Sequence, residues 1–113
     1  MNEIALPDIK RMEEIENDLI KDEIALAILF ELGKNVRVGF LKLLYKFPDD
    51  VKPLLKDKIK ILEVGEYIKQ NPSRDENKPF ESRVYMVDLK GIFFINKLRN
   101  LFPEYLKSVD FLF

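Results

Sequence analysis

This 113-residue chain contains no cysteine, histidine, threonine or tryptophan. Without cysteine there can be no disulfide, thiolate metal ligand or cysteine nucleophile. Without histidine the chain lacks the commonest metal ligand and the usual general base near neutral pH. Glycine is sparse, at four residues, and forms no phosphate-cradling loop. The only serines, Ser73, Ser82 and Ser108, lie in polar, loop-like or strand-edge contexts with no nucleophile–base pair beside them. An enzyme is therefore not expected, nor are catalytic residues, metal ligands or a cofactor. No apolar run approaches the roughly 20 residues needed to span a bilayer. The first residues, Met1-Asn2-Glu3-Ile4, lack the basic and apolar regions of a signal peptide. The expected setting is the cytoplasm, with no membrane partner.

Lysine, glutamate and isoleucine are abundant, and Gln70 is the only glutamine. Such a composition is expected at high temperature, and an AT-rich genome biases usage the same way. An apolar fraction of 47% is ample for one domain spanning 1–113. The net charge of −1 conceals a segregation. Residues 1–33 carry three basic and nine acidic side chains, a net of −6, and 34–60 carry eight and three, a net of +5. Residues 61–113 carry eight of each. A polyanion would therefore meet part of the surface rather than a uniformly basic protein.

The apolar positions divide the chain into segments. Asp8–Ile20 reads as an amphipathic helix starting after Pro7. In Asp22–Leu32, Ile24 to Phe30 are all apolar, which predicts a central, buried helix with Gly33 as its left-handed stop. Val36-Arg37-Val38 is short and β-prone. Phe40, Leu43, Leu44 and Phe47 follow at i, i+3, i+4, i+7, the core face of a second short helix. Pro48-Asp49-Asp50 ends that helix and caps a third. On this third helix Val51, Leu54, Leu55, Lys58 and Leu62 follow the helical period, and Lys52, Lys56 and Lys60 form an outer row. Gly65 closes it. Strands are predicted over Glu66–Lys69 and Glu81–Asp88, joined by the polar loop Gln70–Lys78. Ile92, Ile95, Leu98, Leu101 and Phe102 mark a last helix up to Pro103.

Taken together, Leu29–Gly33, Val36–Val38, Lys60–Ile68 and Arg83–Val87 resemble the winged helix-turn-helix superfamily, in particular small prokaryotic transcription regulators of the MarR and ArsR type. The resemblance implies an α+β, mostly α, fold with a core motif over 22–89. An extra N-terminal helix (8–20) and a C-terminal helix (91–106) flank it and serve dimerisation. It also implies double-stranded DNA as the partner, with Val51–Leu62 as the recognition helix in a major groove. Lys52, Lys56 and Lys60, with Lys42 and Lys46 on the preceding helix, would face the duplex. Arg74, Lys78 and Arg83 would contact it from the wing. Lysines suit phosphates better than bases, so contact with weak or shape-based specificity is expected.

The acidic residues Glu13, Glu14, Glu16 and Asp18 are read as a solvated helix face rather than a metal site. The aromatic residues after Gly91 are read as core or dimer packing, because the stretch Val109–Phe113 is unusually apolar for a terminus. Phe94, Phe102, Tyr105, Phe111, Leu112 and Phe113 are the expected interface of a homodimer, or of a complex with another protein. A winged-helix accessory subunit of a replication or transcription machine is the alternative function, favoured by the near-zero net charge and the acidic first third.

Overall fold

The computed structural model describes residues 22–101, 103, 111 and 112. The helix expected over Asp8–Ile20 lies outside the described residues, as do Phe102, Tyr105 and Phe113. Among the described residues the chain forms α1 (Glu23–Gly33), β1 (Val38–Gly39), α2 (Phe40–Leu44) and α3 (Leu55–Val64), then β2 (Ile68–Gln70), β3 (Val84–Val87) and α4 (Leu89–Leu101). Short 3₁₀ turns at Lys52–Leu54 and Phe80–Ser82 precede α3 and β3. The architecture is α+β, mostly helical, with one small antiparallel sheet.

Helix α1 is the centre of the core. Asp22 caps it, its Oδ1 accepting from the Ala25 amide at 3.0 Å, and Ala25 to Gly33 are all buried. The same carboxylate receives Lys58 of α3 at 2.7 Å. α1 packs on α3, β3 and α4, so a helix apolar all round has a neighbour on each side. The C-terminal end departs from expectation. Gly33 is the last helical residue and Lys34 is the cap, in right-handed geometry. The value of Gly33 is space, because a Cβ there would lie 2.8 Å from the Phe111 ring.

The sheet order is β1-β3-β2. Val38 faces Tyr85, and Ile68 and Gln70 face Val87 and Tyr85 across the other ladder. Tyr85 and Val87 are buried while Val84 and Met86 are only half-buried, the alternation expected of a strand with one inner face.

Local geometry moves several boundaries. Helix α2 stops at Leu44, because Phe47 precedes Pro48 and a residue in that position avoids the α region. Lys46 and Phe47 instead donate to Leu43 and Leu44 in a tighter i−3 pattern. Helix α3 starts late, through the 3₁₀ turn, and neither Asp49 nor Asp50 caps it. Its core residues are Leu55, Ile59 and Leu62; before it Val51 is buried too, whereas Leu54 faces outward. At its end the Tyr67 amide donates to Leu62 O and the Glu66 amide to Glu63 O, the paired bonds of a Schellman stop. The left-handed residue is Glu66, at φ 64°, and not a glycine. That turn uses up Glu66 and Tyr67 and moves β2 to Ile68–Gln70.

Candidate functional site

The site grows from Phe80, which stands alone in polar sequence between Pro79 and Glu81. Its 3₁₀ turn sets the ring edge-on to Phe40, with centroids 5.3 Å apart. Three cations gather over the ring. The Arg83 guanidinium carbon is 4.1 Å from the centroid, Lys56 Nζ 5.5 Å and Lys60 Nζ 5.9 Å. A ring face attracts cations electrostatically, so one aromatic side chain collects charges from α3 and from the residue before β3.

Arg83 is the most committed of the three. Its Nε donates to Lys78 O at 2.8 Å and its Nη2 to Glu76 O at 3.1 Å. Its Nη1 lies 3.5 Å from the hydroxyl of the fully buried Tyr85. Burial is the main reason the Tyr85 phenol is pushed above its ordinary value, with Arg83 opposing the shift. Arg83 therefore braces the loop between β2 and β3, and is not a free cation at its surface. Lys56 is shared between Phe80 and Glu81, whose Oε2 is 3.4 Å away. The Glu81 backbone amide, followed by Lys56, holds that carboxyl below its ordinary value.

Several other cations expected to face a polyanion are engaged within the fold. Lys46 and Lys34 both bind the buried carboxylate of Glu31 at the end of α1, Lys34 at 2.9 Å. Burial pushes the Glu31 carboxyl up, but hydrogen bonds and charge from the two lysines outweigh it and leave the group below its ordinary value. Lys52 folds back, donating to Phe47 O at 2.6 Å and pairing with Asp49 at 2.9 Å. Lys52, Lys56 and Lys60 are thus not one solvent-facing row. Arg74 pairs with Glu76 at the loop tip. Lys78 is half-buried, and its amide donates to Asp75 O. Lys42 is exposed and, like Lys60, has no ion pair among the described residues.

The outer face of α3 has a second half that the helical period did not single out. Leu54, Ile61 and Val64 are 43%, 52% and 79% exposed, with the exposed Asp57 between them. Spacings of three and four put Asp57, Ile61 and Val64 on one stripe beside Lys56 and Lys60. The helix therefore shows a basic flank toward Phe80 and an apolar flank away from it. A groove of about 380 Å³ lies at its start, lined by Phe40, Leu41, Leu44, Lys52, Pro53 and Lys56 together with Glu81.

The expected interface residues separate. Phe94 is 6% exposed and packs on Tyr67 at 5.6 Å, so it belongs to the core. Phe111 seats against Phe30 at 5.8 Å with Arg99 over its ring, half-buried on its own chain. The Leu112 amide donates to Gly33 O at 3.0 Å, while its side chain remains exposed. The exposed aromatic of α4 is instead Phe93, at 70%.

Comparisons with protein-family models, with curated proteins and with solved structures return no match. Among the described residues no group of acidic side chains could hold a metal ion, and no helix is long and apolar enough to cross a membrane.

Proposed function

We propose that this is a winged-helix domain that binds duplex DNA as a small cytoplasmic transcription regulator, gripping phosphates rather than reading bases. The observation that carries the reading is the convergence of Lys56, Lys60 and Arg83 on Phe80. This links the basic flank of α3 to the loop between β2 and β3, the two elements with which a winged helix holds a duplex. The order of elements and the β1-β3-β2 sheet support the same reading. In this reading Lys60, Lys56 and Lys42 face phosphates, and Arg83 holds the wing in place. Such binding weakens steeply with salt, because each lysine–phosphate contact releases condensed counterions.

The test is fluorescence anisotropy with a random duplex across a salt series. Binding should occur at low salt, and the double variant K56A/K60A should flatten the log–log salt slope by about 1.8, or about 0.9 per lost contact. An unchanged slope and affinity in that variant would overturn the reading.

The exposed Leu54, Ile61 and Val64 favour a second reading, a protein-interaction module on the same scaffold. Apolar side chains in that number suit a protein surface better than a phosphate backbone. If a single stoichiometric partner is retained from native lysate, lost on Ile61→Ser, and accompanied by no affinity for duplex, the second reading stands instead.

A further inference from the structure

The carboxylates that hold cations in this molecule are of two kinds. Glu31 is buried among its two lysines. Asp22 caps α1, and Asp88 caps α4, its Oδ1 accepting from the Leu89 amide at 2.8 Å. Each of these serves the fold beyond the lysine it meets. Asp49, Glu76 and Glu81 differ. Asp49 caps no helix, its side chain is wholly exposed, and its partner is Lys52 at 2.9 Å. Glu76 pairs with Arg74 at 70% exposure, and Glu81 with Lys56 at 54%. Apart from the contact of Glu81 with its own amide, these three side chains hold only cations among the described residues.

The three pairs share one stretch of surface. Lys52, Lys56 and Glu81 line the same groove at the start of α3. Glu76 is joined to it through Arg83, which donates to Glu76 O and lies over the Phe80 ring that Lys56 also meets. We infer, on the duplex reading above, that Asp49, Glu76 and Glu81 are built-in stand-ins for phosphate. Each occupies a cation of the polyanion-binding face in the free protein and gives it up when a phosphate arrives.

The chemistry supports an exchange of this kind. Carboxylate and phosphate oxygens are equivalent partners for ammonium and guanidinium groups. Exposed ion pairs are weak, so a phosphate can take over the cation at little cost. The pair at Glu31 cannot be exchanged in this way, because a buried charge would be left alone. Once displaced, the three carboxylates still face the bound backbone, and their like charge opposes it. The result is a brake on affinity. Residues 34–60 carry a net charge of +5, yet much of that charge is already answered before any duplex is met.

Fluorescence anisotropy with the random duplex over the same salt series tests the brake, comparing wild type with E81Q and with D49N/E76Q/E81Q. The amides keep the size of each exposed side chain and remove its charge. E81Q should tighten binding about threefold, within the range of an exposed ion pair, and the triple variant at least about tenfold. E23Q is the control. Glu23 is exposed on α1 and has no ion pair among the described residues. Its loss should move the affinity by less than about 1.5-fold, as salt screens an unpaired exposed charge. A wild type that binds duplex but gains nothing in the triple variant would overturn the brake and leave the duplex reading standing. An E23Q variant that gains as much as E81Q would do the same, because net charge alone would then explain the effect. Binding by neither wild type nor the triple variant would overturn both, and binding that appears only in the triple variant would support both.

Discussion

Helices α1 and α3 have nearly the same length, eleven and ten residues, yet their side chains meet different surroundings. In α1 almost every side chain is answered from within the chain. Apolar neighbours lie on all sides, Asp22 caps the start, and even the carboxylate of Glu31 is held by two lysines. In α3 only Leu55, Ile59 and Leu62 of the helix proper are buried. Its outer half divides into a basic flank gathered on Phe80 and an apolar flank in solvent. A buried helix is specified by the fold it stabilises. For a helix whose apolar outer flank has no cover among the described residues, the explanation lies in what it touches.

This contrast predicts a graded mutational response. Ile28→Ala, at a wholly buried position of α1, should cost about 3–4 kcal/mol in urea unfolding. A cost below about 1 kcal/mol would mean that α1 is not the centre of the core. Glu31→Gln should cost about 2 kcal/mol near neutral pH, in line with hydrogen bonds to charged groups. The pH dependence has a definite sign. The folded carboxyl lies below the ordinary value of 4.5, so the unfolded chain takes up the proton first. The contribution is present above about pH 4.5 and is lost as the pH falls through the folded value. The gap between wild type and Glu31→Gln should therefore narrow in acid, and a gap that widens would remove the lysine clamp. Ile61→Ser on the apolar flank should leave stability within about 0.5 kcal/mol. A larger loss would show that this flank is already covered within the chain.

Much of the layout is legible in the residues themselves. The run from Ile24 to Phe30 announces a buried helix because no polar face interrupts it. The alternation through Val84–Val87 marks a one-sided strand, and Pro48 separates two helices by steric necessity. The candidate site is less legible, for a physical reason. Whether a lysine is free depends on partners distant in sequence, such as Glu31 for Lys46 or Asp22 for Lys58, and periodicity carries no information about such pairs. Phe93 and Phe94 are adjacent and equally apolar, and only the docking of α4 decides which is buried. Gly65 marks the end of α3 correctly, but nothing in the sequence shows that the left-handed residue is Glu66, which the Schellman bonds to Leu62 and Glu63 require. Phe80 carries a faint signal, as an isolated aromatic in polar sequence, but its meaning depends on the cations brought to it from α3.

The carboxylate of Asp22 has a bearing on how the molecule comes apart. One oxygen closes the first turn of α1, and the other holds Lys58 in the middle of α3. Forming a helix end is usually a local event, while joining two helices closes a long loop, and here one side chain takes part in both. Docking of α3 fixes the side chain that caps α1, and the formed cap in turn places that carboxylate for Lys58. The two helices should therefore melt as one cooperative unit, and a peptide of α1 alone should be less helical than its composition suggests.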